Sequence, residues 1–230
     1  MNKKVNGILI VGAAVVAMFF TACDVVKKLD VVGKDSIPSF EALLDATPGL
    51  VKAGNTNAAW SIQAPDGSAR FLWTGDFGSA DGAGYDVALE VDVSPFVDAG
   101  LDVGKLPDDY IINDNKLTVG RILGVNQKKL ASPVMPLDAY KTIVNRRPDV
   151  IGYHIALDHY GVEVGGGNMF EWAKNLSKND KDIVFVLDPQ PLVAAGVNPE
   201  AVEGWFFAKV SVMSGGKKVE VDKFLKPFDL

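Results

Sequence analysis

Hydrophobic and polar positions fall into three regimes along this chain. From Gly7 to Phe20 every position is apolar or glycine, with Lys3 and Lys4 ahead of the run and Thr21-Ala22-Cys23 behind it. The run is about 14 residues long, short of the roughly 20 a helix needs to cross a bilayer. A basic start, an apolar centre and a close of small residues predict a removable secretory segment over residues 1–22. Residues 23–35 predict a tether. Beyond them apolar positions recur at helical and then at strand spacing. Phe40, Leu43 and Leu44, and again Tyr140, Ile143 and Val144, keep the spacing of one helix face. Trp60-Ser61-Ile62 and Phe71-Leu72-Trp73 flank Pro65-Asp66-Gly67, a hairpin turn by composition. Val87 to Val91 and Ile183 to Leu187 predict strands, the second apolar throughout as in a strand buried on both faces.

The third regime reads as one pattern written twice. Asp86 to Leu101 (DVALEVDVSPFVDAGL) and Asp182 to Val197 (DIVFVLDPQPLVAAGV) share six of sixteen residues: Asp86/Asp182, Asp92/Asp188, Pro95/Pro191, Val97/Val193, Ala99/Ala195 and Gly100/Gly196. Lys116 to Leu123 matches Lys218 to Leu225 in the same order, and Phe71-Leu72-Trp73 echoes Phe170-Glu171-Trp172. Such long-period similarity points to a repeated unit. In each copy Asp and Pro stand where a strand gives way to a short helix, as helix-start residues do. Each copy then closes on a hairpin, turning at Asn113 to Asn115 or at Ser214-Gly215-Gly216. In the second copy Tyr153 to Leu157 and Tyr160 to Val164 predict a hairpin, and the stretch from Gly165 to Asn179 an extra loop or short helix. The expected fold is α+β: two tandem copies of an α-β-β-β-α-β-β unit, each an antiparallel or mixed sheet with helices on one face. The copies span 36–124 and 134–230, with a connector at 125–133, as two small domains.

Composition fits this picture, with 48% hydrophobic and 23% charged residues, near globular averages. Net charge is −6, and without Lys3 and Lys4 it becomes −8, which disfavours nucleic acid and anionic lipid as partners. Cys23 is the only cysteine, so the chain has no internal disulfide and no cysteine metal site.

Phe20-Thr21-Ala22-Cys23 resembles the bacterial lipobox, with Phe20 where an aliphatic residue is usual, a relaxation typical of spirochaete-type lipoproteins. The resemblance implies cleavage before Cys23, acylation of its thiol by palmitate or a similar chain, and a lipid anchor in the cell envelope. Several acyl chains anchor a protein effectively, at about 0.8 kcal/mol per buried CH₂. Asp24 resembles the inner-membrane retention signal of enterobacterial sorting, a rule other bacteria need not follow, so the leaflet stays open. The layout as a whole resembles the tandem α/β lipoproteins of treponemes, which implies membrane association or lipid binding.

Candidate chemistry is sparse. His154, Asp158 and His159, near Glu163, are the first group to test for metal or acid-base work; along one strand, alternation puts His154 and Asp158 on one face and His159 on the other. Gly165-Gly166-Gly167 lacks the spacing of a nucleotide loop. Asp76, Asp81 and Asp86 offer oxygen ligands, but not at calcium-loop spacing. Asp92 and Asp188 read better as helix caps than as paired acids. There is no Gly-x-Ser-x-Gly and no His-Glu-x-x-His. Trp60, Trp73, Phe96, Leu101, Trp172, Leu192, Val197 and Trp205 read either as core or as the lining of an amphiphile site. The expectation is a non-enzymatic, lipid-anchored protein that binds an amphiphile, a membrane surface or an envelope partner, without cofactor, metal or catalytic residues. The alternative is a periplasmic or surface hydrolase or metalloenzyme using His154, Asp158 and His159.

Overall fold

A computed structural model describes residues 14–15, 22–54, 59–75, 77, 84–124, 134–154, 157–176, 181–214 and 217–230. A two-residue strand, β1 (Ala14–Val15), comes first, followed by α1 (Ala22–Ala46). Four strands follow, β2 (Val51–Ala53), β3 (Ala59–Gln63), β4 (Ala69–Thr74) and β5 (Val87–Asp92). A short helix α2 (Ser94–Asp98) and the hairpin of β6 (Tyr110–Asn113) and β7 (Lys116–Arg121) complete this half. The second half runs through α3 (Pro136–Arg146), β8 (Ile151–His154), β9 (His159–Gly165), β10 (Asn168–Ala173) and β11 (Ile183–Leu187). It ends with α4 (Pro189–Ala194), β12 (Phe206–Ser214) and β13 (Lys217–Phe228).

The fold is α+β, with two six-stranded antiparallel sheets and four helices among the described residues. One sheet has the order β2-β3-β4-β5-β7-β6 and the other β8-β9-β10-β11-β13-β12, with β1 added in parallel beside β12. Each half therefore carries four strands before its short helix, one more than the expected unit. In the first half the extra strand is β2, three half-exposed or exposed residues too short to show alternation. In the second it is β10, where the sequence reading expected a loop or helix. Glu171 interrupts the apolar run there, although five of the six β10 residues are buried.

Two further expectations are corrected. The segment 23–35 is not a tether but part of α1, which is helical from Ala22. Its inward face is made of Gly33, Ser36 and Ser39 ahead of Phe40 and Leu43, all buried, so no large apolar stripe announces it. Gly33 lets the helix lie close to α3: a Cβ there would meet Val144 Cγ1 at 3.0 Å. The match of Lys116–Leu123 to Lys218–Leu225 is also out of register. Leu117 lies opposite Val91, but in the other sheet the residue opposite Leu187 is Phe224. The offset is odd, so it exchanges faces; β13 is twelve residues long, and its extra length lies toward the hairpin turn.

The helices explain how the halves are joined. α1 packs on β8 and β10, strands of the second half, while α3 packs on β3 and β4, strands of the first. Tryptophan N–H groups fasten both arrangements, which a buried indole requires. Trp172 Nε1 donates to Ser39 Oγ at 2.9 Å, Trp73 Nε1 to the Pro136 carbonyl at 3.0 Å, and Trp60 Nε1 to the Val134 carbonyl at 2.9 Å. Phe40 and Tyr140 stack with centroids 3.9 Å apart, and Phe71 of β4 stacks on Phe170 of β10 at 4.6 Å. The buried apolar side chains of both halves form one continuous cluster.

At α2 and α4 the halves meet backbone to backbone. Asp102 N donates to the Ala195 carbonyl and Asn198 N to the Ala99 carbonyl, both at 2.8 Å. Gly100 and Gly196 (φ +104° and +108°) oppose each other, and a Cβ on either would lie under 3.0 Å from the other's carbonyl oxygen. Asp86 and Asp182 are both buried and accept the amides of Leu123 (2.6 Å) and Leu230 (2.7 Å) beyond the last paired strands.

Because each helix rests on the other half's sheet, urea unfolding is expected to be a single transition, with far-ultraviolet circular dichroism and tryptophan fluorescence superimposing. Phe71→Ala is expected to cost about 3–5 kcal/mol in that same transition. Two separated transitions would show halves that fold independently.

Candidate functional site

The two histidines face each other across the β8–β9 hairpin, with His154 directly opposite His159. Directly opposed residues of an antiparallel pair point to the same side of the sheet. The sequence expectation that the two lie on opposite faces is thus overturned, because the chain turns between them instead of continuing as one strand. Asp158 sits in the turn with φ +55°. Its carboxylate accepts from the Tyr153 hydroxyl, and that bond, followed by burial, pushes the tyrosine up to about 12. Asp158 therefore does not join the histidines.

Glu171 joins them instead, from the neighbouring strand β10, where it lies opposite Gly161. A side chain at Gly161 would be crowded, since its Cβ would approach Glu171 Cγ and Met169 Cε at 3.1 Å. Glu171 Oε2 stands 3.4 Å from His154 Nδ1 and 3.8 Å from His159 Nδ1. All three side chains are buried, at 6% exposure or less. Burial drives the Glu171 carboxyl up, but hydrogen bonding and charge from the two imidazoles more than offset it, and the group ends at about 2. Nε2 of His154 has no hydrogen-bond partner, and the polar neighbour of His159 Nδ1 is the Glu171 carboxylate at 3.8 Å. Among the described residues no group of three His, Cys, Asp or Glu is placed to hold a metal ion.

The other candidates are placed as follows. Trp73, Phe96, Trp172 and Leu192 are fully buried, Leu101, Val197 and Trp205 nearly so, and Trp60 is half-buried. They divide between two regions. Trp73 and Trp172 meet α3 and α1, and Trp60 meets Val134 just ahead of α3. Phe96 packs on Trp205 and on Phe224, at 5.5 Å in each case. Cys23 is the second residue of α1. Asp76 and Asp81 lie outside the described residues, as does the connector 125–133.

Gly165-Gly166-Gly167 is the β9–β10 hairpin turn, all three at positive φ. The turn already holds an anion: Gly165 N and Gly167 N donate to Glu163 Oε1 at 3.0 and 3.4 Å, and Arg121 of the first half pairs with Glu163 Oε2 at 2.5 Å. Asp188 caps α4 by accepting the Gln190 amide, and Asp92 accepts those of Ser94 and the Asn115 side chain. The capping reading holds at Asp188, whereas the N-cap of α2 is Val93, without a side-chain cap, and Asp92 one residue earlier makes a local turn to the Ser94 amide.

Sequence reasoning missed Glu171 because nothing local ties it to residues 12 to 17 positions away. The usable signal was a lone carboxylate between Phe170 and Trp172, in a chain with only two histidines. Comparisons with protein-family models, with curated proteins and with solved structures give no match, so function is argued from the residues alone.

Glu171 ionises at about 2 in the fold, against 4.5 for the free group. A carboxyl lowered by folding stabilises the protein above the unfolded value, and that contribution is lost as pH falls through the folded one. The stability difference between the native chain and Glu171→Gln, measured by urea unfolding, should be on the order of 3 kcal/mol at pH 5 and fade toward pH 2. A difference independent of pH over that range would show that Glu171 is not held ionised.

Proposed function

We propose that the chain is a lipid-anchored protein of the bacterial cell envelope, non-enzymatic, which binds an amphiphile, a membrane surface or an envelope partner. The observation that carries the reading is the leader ending in Phe20-Thr21-Ala22-Cys23, with the chain's one cysteine at the lipobox position. No helix among the described residues is long and apolar enough to cross a membrane, so acyl chains on Cys23 would supply the attachment. The hydrolase alternative has less support, because Asp158 is engaged by Tyr153 and stands apart from the histidines.

We read the body as two tandem copies of one unit, within 36–124 and 134–230. Three things support this. The sheets have the same strand order. The sequence pair Gly100/Gly196 meets itself, as do Phe40/Tyr140 and Phe71/Phe170. Asp86 and Asp182 make the same bond. Matched residues that touch each other are what a twofold relation between copies produces.

Labelling of expressing bacteria with tritiated palmitate tests the anchor. The native chain should carry label and enter the detergent phase of Triton X-114, and Cys23→Ser should do neither. A native chain cleaved before residue 23 but unlabelled would overturn the reading.

A further inference from the structure

The second-half sheet bends far enough to bring its two ends near each other. β1 pairs in parallel with β12, Ala14 opposite Ser211 and Val15 opposite Val212, and it also neighbours β8. β12 and β8 are the two ends of the six-stranded order, so a single strand reaches both, across a gap of about two to three strand spacings, on the order of 10–15 Å. The middle of this sheet is covered on both sides. Phe170 and Trp172 meet Phe71 and Phe40, while Glu171, Val184 and Val186, which alternate to the other side, are 3%, 4% and 5% exposed. Burial gives out at the seam between the two ends. Phe206, the first residue of β12, lies opposite Leu225 and so on the same side as Val186, yet it is 58% exposed.

Backbone groups along both margins of the seam lack strand partners. Among the described residues β8 is paired with β9 alone, and β12, paired with β13 along all nine of its residues, meets β1 at only two. An edge in this state is a template for a further strand, which binds through main-chain hydrogen bonds. β6, which holds the place of β12 in the other sheet, has only four residues. The one charged residue of β12, Lys209, alternates away from Phe206 and is paired with Asp222 at 2.9 Å. The strand now in the seam belongs to the run Gly7 to Phe20, which contains no charge and no proline. In the observed register nine residues, Leu9 to Ala17, correspond to Phe206 to Ser214, the whole of β12. Removal of residues 1–22 takes this segment away and leaves both margins bare.

We propose that, once residues 1–22 are removed, the seam between β12 and β8 receives one extended, uncharged apolar segment of an envelope partner, which replaces β1 as a strand parallel to β12. The proposal rests on the reading above of a cleaved leader and an envelope partner, and specifies where that partner binds and through what kind of segment.

The test uses the peptide Leu9 to Ala17, with three lysines added for solubility, supplied in trans to the chain beginning at Cys23 and read by backbone amide NMR. The peptide should shift the amide signals of β8 and β12 and leave those of β2 and β6, the ends of the other sheet, unmoved. Binding should be at least tenfold weaker for the same peptide carrying Ala14→Pro, which cannot complete the ladder, and at least tenfold weaker to the full chain, whose own leader fills the seam. If the shortened chain does not fold alone, the peptide should restore its circular dichroism. Unmoved signals in β8 and β12, undiminished binding of the proline peptide, equal binding to the full chain, or a chain the peptide cannot restore would each overturn the proposal. A concentration-dependent dimer of the shortened chain that excludes the peptide would assign the seam to a second copy and overturn it as well. A chain that takes up palmitate while β8 and β12 ignore the peptide would keep its anchor and lose this site.

Discussion

Everything in this molecule depends on the crossing of α1 and α3, each of which covers the sheet of the other half. Each six-stranded sheet has an apolar side that must be buried, and here the opening helix of the other half covers most of it. Trp172 reaches Ser39 of α1, Trp73 reaches Pro136 of α3, and Phe40 lies among Trp73, Tyr140 and Trp172. Three of the four tryptophans that look in sequence like the lining of a ligand groove, Trp60, Trp73 and Trp172, are the fastenings of this exchange. That accounts for their burial and for their position on β3, β4 and β10, the strands the helices contact or border.

Legibility in the sequence followed side-chain size. Phe40, Leu43 and Leu44 mark a helix because their spacing is helical and their bulk is unmistakable. Gly33 and Ser36 are as deeply placed on the same helix but carry no such signal, since close helix approach selects small residues and small residues also look like tether. Strand β11 was legible because it is apolar at every position; β10 was not, because it presents aromatic groups on one side and a carboxylate on the other. Capping by Asp188 was readable from Pro191 nearby, while Asp92 falls one residue short of the cap position that Val93 takes. The register of the last hairpin was not readable, since alternation alone allows a slip along so long a strand.

The site follows the same logic one level up. The two histidines were visible in sequence, and their geometry depended on where the chain reverses between them. With five residues from one histidine to the other, a continuous strand sends them apart, while a tight reversal sets them opposite each other. Asp158 takes the turn position at positive φ and gives its carboxylate to Tyr153, which leaves Glu171 as the carboxylate beside the pair. The glycine triplet at the opposite end of β9 is a parallel case: its amides look available for a phosphate, yet Glu163 fills them and Arg121 ties that carboxylate to the first half.

The contact of Gly100 with Gly196 has an evolutionary consequence. Each residue's missing side chain makes room for the other's carbonyl, so neither position can change without displacing its counterpart. Each position therefore constrains what the other can become. In any descendant of this chain the two positions are a linked trait, changing together or not at all.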